Sequence, residues 1–148
     1  MKKKYITWKK IETQTNSLIK QMDKDNFKPE MVWGLVRGGC IPAILISQHY
    51  NIPMQTWHMS LRDHEYYNFN PKWDDYWSSK HSLIVDDIND SGNTIALAKE
   101  HTQQYSQVRY AVLQHKETST QEIDYYAEKI GKLKKDEWIV YPWEEWSK

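Results

Sequence analysis

Residues 83–95 read Leu-Ile-Val-Asp-Asp-Ile-Asn-Asp-Ser-Gly-Asn-Thr-Ile, and this stretch decides the fold. Its apolar beginning predicts a buried strand, and residues 93–105 predict the helix that follows. Between the two lie three carboxylates: Asp86, Asp87 and Asp90. The free N–H groups of a small-residue loop and a helix N-terminus favour phosphate, whereas carboxylates suit sugar hydroxyls or a hard cation such as Mg²⁺. The pattern therefore predicts a site for a phosphorylated, polyhydroxylated ligand.

Two other interpretations of this acidic loop are weaker. A solvated turn that caps a helix does not need three acids in five residues, because crowded carboxylates repel unless a cation or ligand compensates them. An EF-hand calcium loop is imitated by residues 87–92, but Ala98 stands where that loop needs its bidentate glutamate. A buried strand directly before the loop is also wrong for an EF-hand.

The segments on either side alternate between strand and helix. Strands are predicted at residues 31–36, 54–59, 83–85, 108–114 and 138–141. Helices are predicted after the capping Thr7, at residues 40–50 and 93–105, and, as a short helix, around 121–130. This alternation is typical of an α/β fold with a mostly parallel central sheet flanked by helices. A chain of 148 residues is expected to form a single domain.

A second loop, Arg37-Gly38-Gly39, also connects a predicted strand to a predicted helix. Its glycines expose backbone N–H groups, and the Arg37 guanidinium adds a delocalised positive charge, which together suit a pyrophosphate. Alone, such a turn is a weak signal, since many turns contain two glycines. Beside the acidic loop, ligand binding becomes the stronger interpretation.

The composition argues against several classes of function. Lys+Arg and Asp+Glu each number 20, so broad binding to nucleic acid or to an anionic membrane is not expected, and Lys2 to Lys4 are interpreted as a solvated tail. There is no apolar run long enough for a transmembrane helix and no signal-peptide pattern. A single cysteine, Cys40, fits a reducing cytoplasm. The six histidines lack metal-ligand spacing, so zinc is disfavoured.

Along nearly its whole length the chain resembles the type I phosphoribosyltransferases, above all the bacterial xanthine–guanine (6-oxopurine) phosphoribosyltransferases. The acidic loop resembles the loop that binds 5-phosphoribosyl-1-pyrophosphate (PRPP). Residues 33–39, followed by Ile41-Pro42, resemble the pyrophosphate loop and the next helix, and residues 5–8 resemble the opening segment. Residues 136–144 (Asp-Glu-Trp-Ile-Val-Tyr-Pro-Trp-Glu) resemble the C-terminal segment that covers the purine.

The resemblance implies the type I phosphoribosyltransferase fold over residues 1–148, with a small C-terminal hood at about 131–148 and a mobile loop around 60–80. It implies an enzyme, a pentosyltransferase that converts a 6-oxopurine base (guanine, xanthine or hypoxanthine) and PRPP to the nucleoside 5′-monophosphate and pyrophosphate. It further implies Mg²⁺, a cis peptide between Val36 and Arg37, and a homo-oligomer, either a dimer or a tetramer. Lys72 would be the basic residue of the mobile loop.

The resemblance also implies roles for individual residues. PRPP would be bound by Arg37, Gly38, Gly39, Asp86, Asp87, Asp90, Ser91, Gly92, Asn93 and Thr94. The three carboxylates in this set would be catalytic: Asp86 and Asp87 on the ribose hydroxyls, and Asp90 as the general base near purine N7. Lys116 would donate to the purine 6-oxo group, Trp138 would stack on the base, and backbone groups of Ile139 would contact its edge. The metal would be held by Asp87 and Glu144.

Two departures and two alternatives accompany this prediction. Asn93 stands where the family usually has Gly or Lys, and Ser91 replaces the common Thr, although both still allow phosphate contacts. A PRPP-sensing regulatory protein of the same fold, without turnover, is the first alternative. A phosphoribosyltransferase for another base is the second. Adenine fits poorly, because its 6-amino group is a donor and would meet the donor Lys116.

Overall fold

The computed structural model describes residues 2–59, 80–131 and 137–145. The strands within these residues are β1 (Lys2–Tyr5), β2 (Met31–Leu35), β3 (Met54–Trp57), β4 (Ser82–Asn89), β5 (Val108–Lys116), β6 (Tyr125–Ile130) and β7 (Glu137–Val140). The helices are α1 (Trp8–Lys24), α2 (Cys40–Tyr50) and α3 (Asn93–Thr102). The predicted loop around 60–80, including Lys72, falls outside the described residues apart from Lys80.

The predicted parallel α/β sheet is confirmed. Five strands pair in parallel in the order β3-β2-β4-β5-β6. The connection through α2 leads from β2 outward to β3, whereas the connection through α3 leads from β4 outward to β5 in the opposite direction. The order therefore reverses between β2 and β4, and open α/β sheets bind ligands in the crevice at the carboxyl ends of such a pair.

Apolar residues cover both faces of this sheet. Leu83 and Val85 of β4 pack into one buried cluster with residues of α1 and α2, such as Leu18 and Ala43. The intervening Ile84 packs into the other cluster, which includes Ile95 and Ala98 of α3. Burial on both faces explains why β4 begins as a continuous apolar run, as is usual in parallel sheets. The helix α1 begins as predicted, because Thr7 Oγ1 accepts from the Lys10 N–H at 3.0 Å.

The predicted short helix around 121–130 is wrong. Residues 125–130 form the strand β6, which pairs in parallel with β5 from Ala111↔Tyr125 to Lys116↔Ile130. Two adjacent tyrosines and a terminal isoleucine favour a strand. Pairing also satisfies the backbone groups of β5, whose edge would otherwise stay open.

The interpretation of Lys2 to Lys4 as a solvated tail is also wrong. These residues belong to β1, which pairs in parallel with β7 in a separate two-stranded sheet. Lys3 Nζ lies 2.7 Å from Glu145 Oε1. The strand left no alternating pattern in the sequence because all four of its residues are exposed. Within the described residues, no helix has the length and apolar character needed to cross a membrane.

Candidate active site

A cavity of about 680 Å³ lies at the carboxyl edge of the sheet. Its walls come from the loop after β2, the end of β4 with the loop that follows, the end of β5, and the segment 137–144. The loops after β2 and β4 lie at the reversal of strand order, and β5 and the segment 137–144 complete the walls, so the fold brings together residues that are far apart in the sequence. Every residue predicted to bind PRPP, purine or metal lines this cavity except Gly39.

The loop 90–94 forms the first part of the site. Gly92 adopts the left-handed conformation, with φ of 96°, and lies against the turn after β5. A Cβ at this position would stand 2.6 Å from Thr120 Oγ1 and 2.8 Å from Ser119 Oγ, so glycine is required for space as well as for conformation. Gly92 caps α3 without a side-chain hydrogen bond. The positive end of the helix dipole is therefore available to an anion.

The loop after β2 forms the second part, and it touches the first. The Val36–Arg37 peptide is cis, which confirms the prediction. Gly38 lies directly against Asp87, since a Cβ on Gly38 would stand 2.0 Å from Asp87 Oδ2. The exposed Arg37 lines the same cavity. Gly38 and the Asp87 carboxylate are thus in direct contact, and Arg37 lines the cavity that they share.

Gly39 is the one residue predicted to bind PRPP that does not line the cavity. A Cβ there would lie 2.1 Å from Val85 O and 2.8 Å from the Leu35 backbone, so Gly39 packs against the sheet itself. Its N–H donates to Leu35 O at 2.9 Å. The absence of a Cβ lets α2 approach β2 closely. Because the Gly39 N–H already has a partner inside the fold, this amide is not free to bind pyrophosphate.

The two adjacent acids at the end of β4 differ in their surroundings. Asp86 Oδ1 accepts from the Asp87 N–H at 2.9 Å, and Asp87 Oδ1 accepts from the Ile88 N–H at 2.7 Å. The pKa of Asp87 is raised to about 6, mainly by burial and to a smaller extent by the negative charge of Glu144, against hydrogen bonds that lower it. The site therefore contains a carboxylate whose ionised form is costly without a positive charge beside it.

Asp87 and Glu144 fit the metal role predicted for them. Glu144 Oε2 accepts from the Tyr141 N–H at 2.7 Å, which holds this acid at the cavity. Among the described residues there is no cluster of three or more His, Cys, Asp or Glu side chains able to hold a metal. Mg²⁺ usually takes one or two carboxylates together with water and substrate phosphates. This pair therefore suits an Mg²⁺ ion that arrives with a phosphorylated ligand.

The predicted general base and the predicted purine donor form an ion pair. Lys116 Nζ lies 2.6 Å from Asp90 Oδ1, and the Lys116 side chain is 19% exposed against 40% for Asp90. β4 and β5 are neighbours in the sheet, which explains how a loop after one meets the end of the other. The pair presents a hydrogen-bond donor and an acceptor side by side to any ligand in the cavity.

The segment 137–144 forms the remaining wall. Trp138 is 40% exposed, whereas the Ile139 side chain is buried. The hydroxyl of Tyr141, which had no predicted role, lies within hydrogen-bond distance of two acceptors, Gln114 Oε1 and, at 3.3 Å, Asp87 O, and its single proton serves one of them at a time. The Tyr141 ring stacks on that of Trp143, with 4.9 Å between the ring centroids. The feature of the sequence that could have indicated Tyr141 and Trp143 is the group of aromatic residues near its end, at positions 138, 141, 143 and 146. These two residues tie β7 to the acids of β4.

Comparison with known proteins finds the same family by sequence and by structure. The family model described as "Phosphoribosyl transferase domain" matches residues 2–146. The xanthine-guanine phosphoribosyltransferase of Cereibacter sphaeroides is 26% identical over 151 residues, which cover 95% of this chain and 86% of that protein. The enzyme of that name from Idiomarina loihiensis is 24% identical, with 95% and 86% covered.

Two solved structures cover nearly the whole chain. A purine phosphoribosyltransferase from Pyrococcus horikoshii has a TM-score of 0.77 at 26% identity, and the match covers 98% of this chain and 96% of that one. A xanthine-guanine-hypoxanthine phosphoribosyltransferase from Helicobacter pylori has a TM-score of 0.77 at 22% identity, with 97% and 93% covered. The second likeness, at its lower identity, bears on the fold alone.

Proposed function

The chain belongs to the phosphoribosyl transferase domain family, and we propose that it transfers the 5-phosphoribosyl group of PRPP to a 6-oxopurine base. The products are a purine nucleoside 5′-monophosphate and pyrophosphate. The relatives named as xanthine-guanine phosphoribosyltransferases support this choice of base. The observation that carries it is the Lys116–Asp90 pair, 2.6 Å apart in the cavity. A 6-oxopurine presents its O6 acceptor next to N7, and this edge matches an adjacent donor and acceptor.

Two loops and the end of β4 divide the binding of PRPP between them. The 5-phosphate lies on residues 90–94, where the N-terminus of α3 favours an anion. The pyrophosphate lies on Arg37 and Gly38, and the ribose hydroxyls donate to Asp86 and Asp87. The purine stacks on the exposed ring of Trp138, with its edge against the backbone of Ile139. The contact between Gly38 and Asp87 supports this arrangement, because it sets the pyrophosphate and ribose sites side by side.

The reaction exchanges one bond at the ribose C1 atom for another. The bond from C1 to the pyrophosphate oxygen breaks, and the positive charge that develops on the ribose is stabilised by Asp86 and Asp87. Arg37 stabilises the leaving pyrophosphate, and Mg²⁺ held by Asp87 and Glu144 would neutralise part of its charge. Purine N9 forms the new bond, and the purine loses a proton that Asp90 accepts near N7.

We propose that residues 1–148 form one domain, with residues 131–148 contributing a hood over the purine, since β7 lines the cavity. The partners are the small molecules PRPP and a purine base, together with further copies of the same chain in a dimer or tetramer. A reducing cytoplasm suits the single cysteine, Cys40.

The direct test is a PRPP- and Mg²⁺-dependent assay that follows loss of free base. Guanine, xanthine, hypoxanthine, adenine and uracil are supplied in parallel to the same enzyme preparation. Turnover of one or more 6-oxopurines, with little of adenine or uracil, is expected. Binding of PRPP without turnover of any base would contradict the proposal and would instead support a PRPP-sensing protein.

Replacing Lys116 by methionine should reduce activity on hypoxanthine about 10- to 100-fold in kcat/KM, because a hydrogen bond from a charged donor to O6 is lost. Adenine differs from hypoxanthine at C6 and presents no acceptor there, so its low rate should change much less. Steady-state kinetics with the two bases measure this. An equal loss on both bases would mean that Lys116 does not read the 6-oxo group.

The Mg²⁺ requirement should rise as the pH falls through about 6, since protonation of Asp87 competes with the metal. Above that pH the carboxylate is ionised, and a cation relieves the cost of its burial. The Mg²⁺ concentration for half-maximal activity is measured from pH 8 to pH 5 in the wild type and in Asp87→Asn. Protonation of PRPP affects both proteins equally, so identical slopes would contradict a metal role for Asp87.

A further inference from the structure

A buried group of polar side chains lies behind the loop 90–94. Asn89, the last residue of β4, is 1% exposed, and His115 of β5, its partner in the strand register, is 8% exposed. The Asn89 amide uses both of its ends. Nδ2 donates to Gln121 O at 2.9 Å and meets His115 Nδ1 at 3.0 Å, while Oδ1 accepts from Ser119 Oγ at 2.9 Å.

The chemistry of the partners fixes the orientation of each group. A backbone carbonyl can only accept, so the nitrogen of the Asn89 amide must face Gln121 O. The same nitrogen faces His115 Nδ1, which must therefore be an acceptor, with the ring neutral and its proton on Nε2. Burial lowers the pKa of His115, in keeping with a neutral ring. The two side chains thus have one consistent arrangement.

The turn 117–121, which follows β5 and contacts Asn89 through Ser119 and Gln121, is also bound directly to the loop 90–94. Thr120 donates to Ser91 O twice, from its N–H and from its hydroxyl, each at 3.1 Å. Gly92 lies beneath the hydroxyls of Ser119 and Thr120, with no space for a Cβ. The Ser119 N–H donates to Lys116 O at 3.0 Å. The turn therefore spans the gap between the phosphate loop and the purine donor.

The position of the two central residues points to the site. Asn89 directly precedes Asp90, and His115 directly precedes Lys116. Apolar side chains at these two positions would avoid the cost of burying polar groups. A polar network in which the Asn89 amide is paired at both ends instead selects one geometry, because a shift leaves a buried donor or acceptor unpaired. The network is suited to fixing a loop rather than to filling the core.

We propose that Asn89 and His115 are positioning residues, which hold the turn 117–121 against the loop 90–94 and so keep that loop in the conformation that binds the 5-phosphate of PRPP. This inference rests on the proposed function and adds to the PRPP site two residues that support its phosphate loop. Asn89 lines the cavity, but its amide is already paired with Gln121 O, His115 Nδ1 and Ser119 Oγ, so neither side chain needs to touch the substrate. Their effect reaches it through the backbone of residues 90–94.

Asn89→Val removes all of the amide contacts while roughly keeping the shape of the side chain. The KM for PRPP should rise about tenfold, as expected for the loss of one to two buried hydrogen bonds. The kcat at saturating PRPP and the KM for the purine should each change less than about threefold, because bound phosphate restores the loop. Hydrogen exchange of the amides of residues 90–94 should be faster in the free variant, which gives a readout without turnover.

Substitutions at His115 separate positioning from simple packing. His115→Asn keeps an acceptor near the position of Nδ1 and should retain most of the PRPP affinity, whereas His115→Leu should behave like Asn89→Val. Thr102→Val is the matched control, since Thr102 is also buried and donates to Ala98 O, but at the far end of α3. It should lower the Tm without changing the KM for PRPP.

The experiment is calorimetric titration of PRPP with Mg²⁺ into each protein, combined with steady-state kinetics. The inference is supported if Asn89→Val and His115→Leu selectively lose PRPP affinity while His115→Asn retains most of it. Unchanged PRPP affinity in Asn89→Val, or an equal loss for PRPP and purine, overturns it while leaving the proposed function intact. Absence of PRPP binding by the wild type would overturn the proposed function, and this inference with it.

Discussion

Asp90→Asn is expected to lower kcat by about 10²- to 10⁴-fold while the KM for PRPP stays within a few fold, because general-base catalysis contributes rate enhancements of this size. Asparagine has the shape of aspartate and can still accept a hydrogen bond from Lys116, now 2.6 Å from the Asp90 carboxylate. It cannot take up the proton that the purine must lose. The substitution therefore removes the chemistry and leaves the loop that binds the 5-phosphate unaltered.

Steady-state kinetics with the preferred 6-oxopurine, at varied PRPP, separate the two effects. Glu100→Gln is a matched control, because it neutralises an exposed acid on α3 outside the cavity. It should leave kcat and the KM for PRPP unchanged. If Asp90→Asn weakens PRPP binding as much as it slows turnover, Asp90 is a ligand of the ribose phosphate and not the general base.

The central strands and the first helix could be predicted because each has a local pattern in the sequence. Strands β2 and β4 are buried on both faces, so they appear as apolar runs, and the helix α1 is marked by its capping Thr7. Strands β1 and β6 were misread because their pairing is decided elsewhere in the molecule. β1 is polar and depends on β7 for its hydrogen bonds, and β6 is selected by the open edge of β5.

In the candidate site, too, some residues could be predicted from the sequence and others could not. The residues proposed to bind ligand lie in short motifs that resemble those of a family, and all of them except Gly39 line the cavity. The supporting residues have no such motif. Asn89 and His115 are 26 positions apart and meet only through the register of β4 and β5. The packing role of Gly39 likewise depends on how closely α2 approaches β2, which the tripeptide Arg37-Gly38-Gly39 does not reveal.

The neighbouring glycines Gly38 and Gly39 should therefore respond differently to alanine. In Gly39→Ala the new methyl would meet backbone atoms of Val85 and Leu35, which cannot move without disturbing the sheet. A loss of about 3 kcal/mol in the free energy of unfolding is expected from overpacking of this kind. Urea denaturation measures it. A variant as stable as the wild type would show that α2 can shift away from β2.

In Gly38→Ala the obstacle is a side chain, since the new Cβ would stand 2.0 Å from Asp87 Oδ2. The carboxylate can rotate away. Its pKa is raised to about 6, so at neutral pH its ionised form already costs the folded state stability, and moving it towards water offsets part of the strain. Stability should fall less than in Gly39→Ala. Activity should fall about 100-fold, because a misplacement of 1 Å in a positioned group can cost that much.

A double-mutant cycle tests whether Asp87 transmits this effect. In an Asp87→Gly background the obstacle is gone, so adding Gly38→Ala should reduce kcat/KM for PRPP no further. A coupling close to the full single-mutant loss is expected, because Gly38 and the Asp87 carboxylate occupy adjoining space. If the two losses simply add, Gly38 acts through its own backbone on the pyrophosphate. In that case the absence of a side chain at position 38 serves the ligand and not the carboxylate.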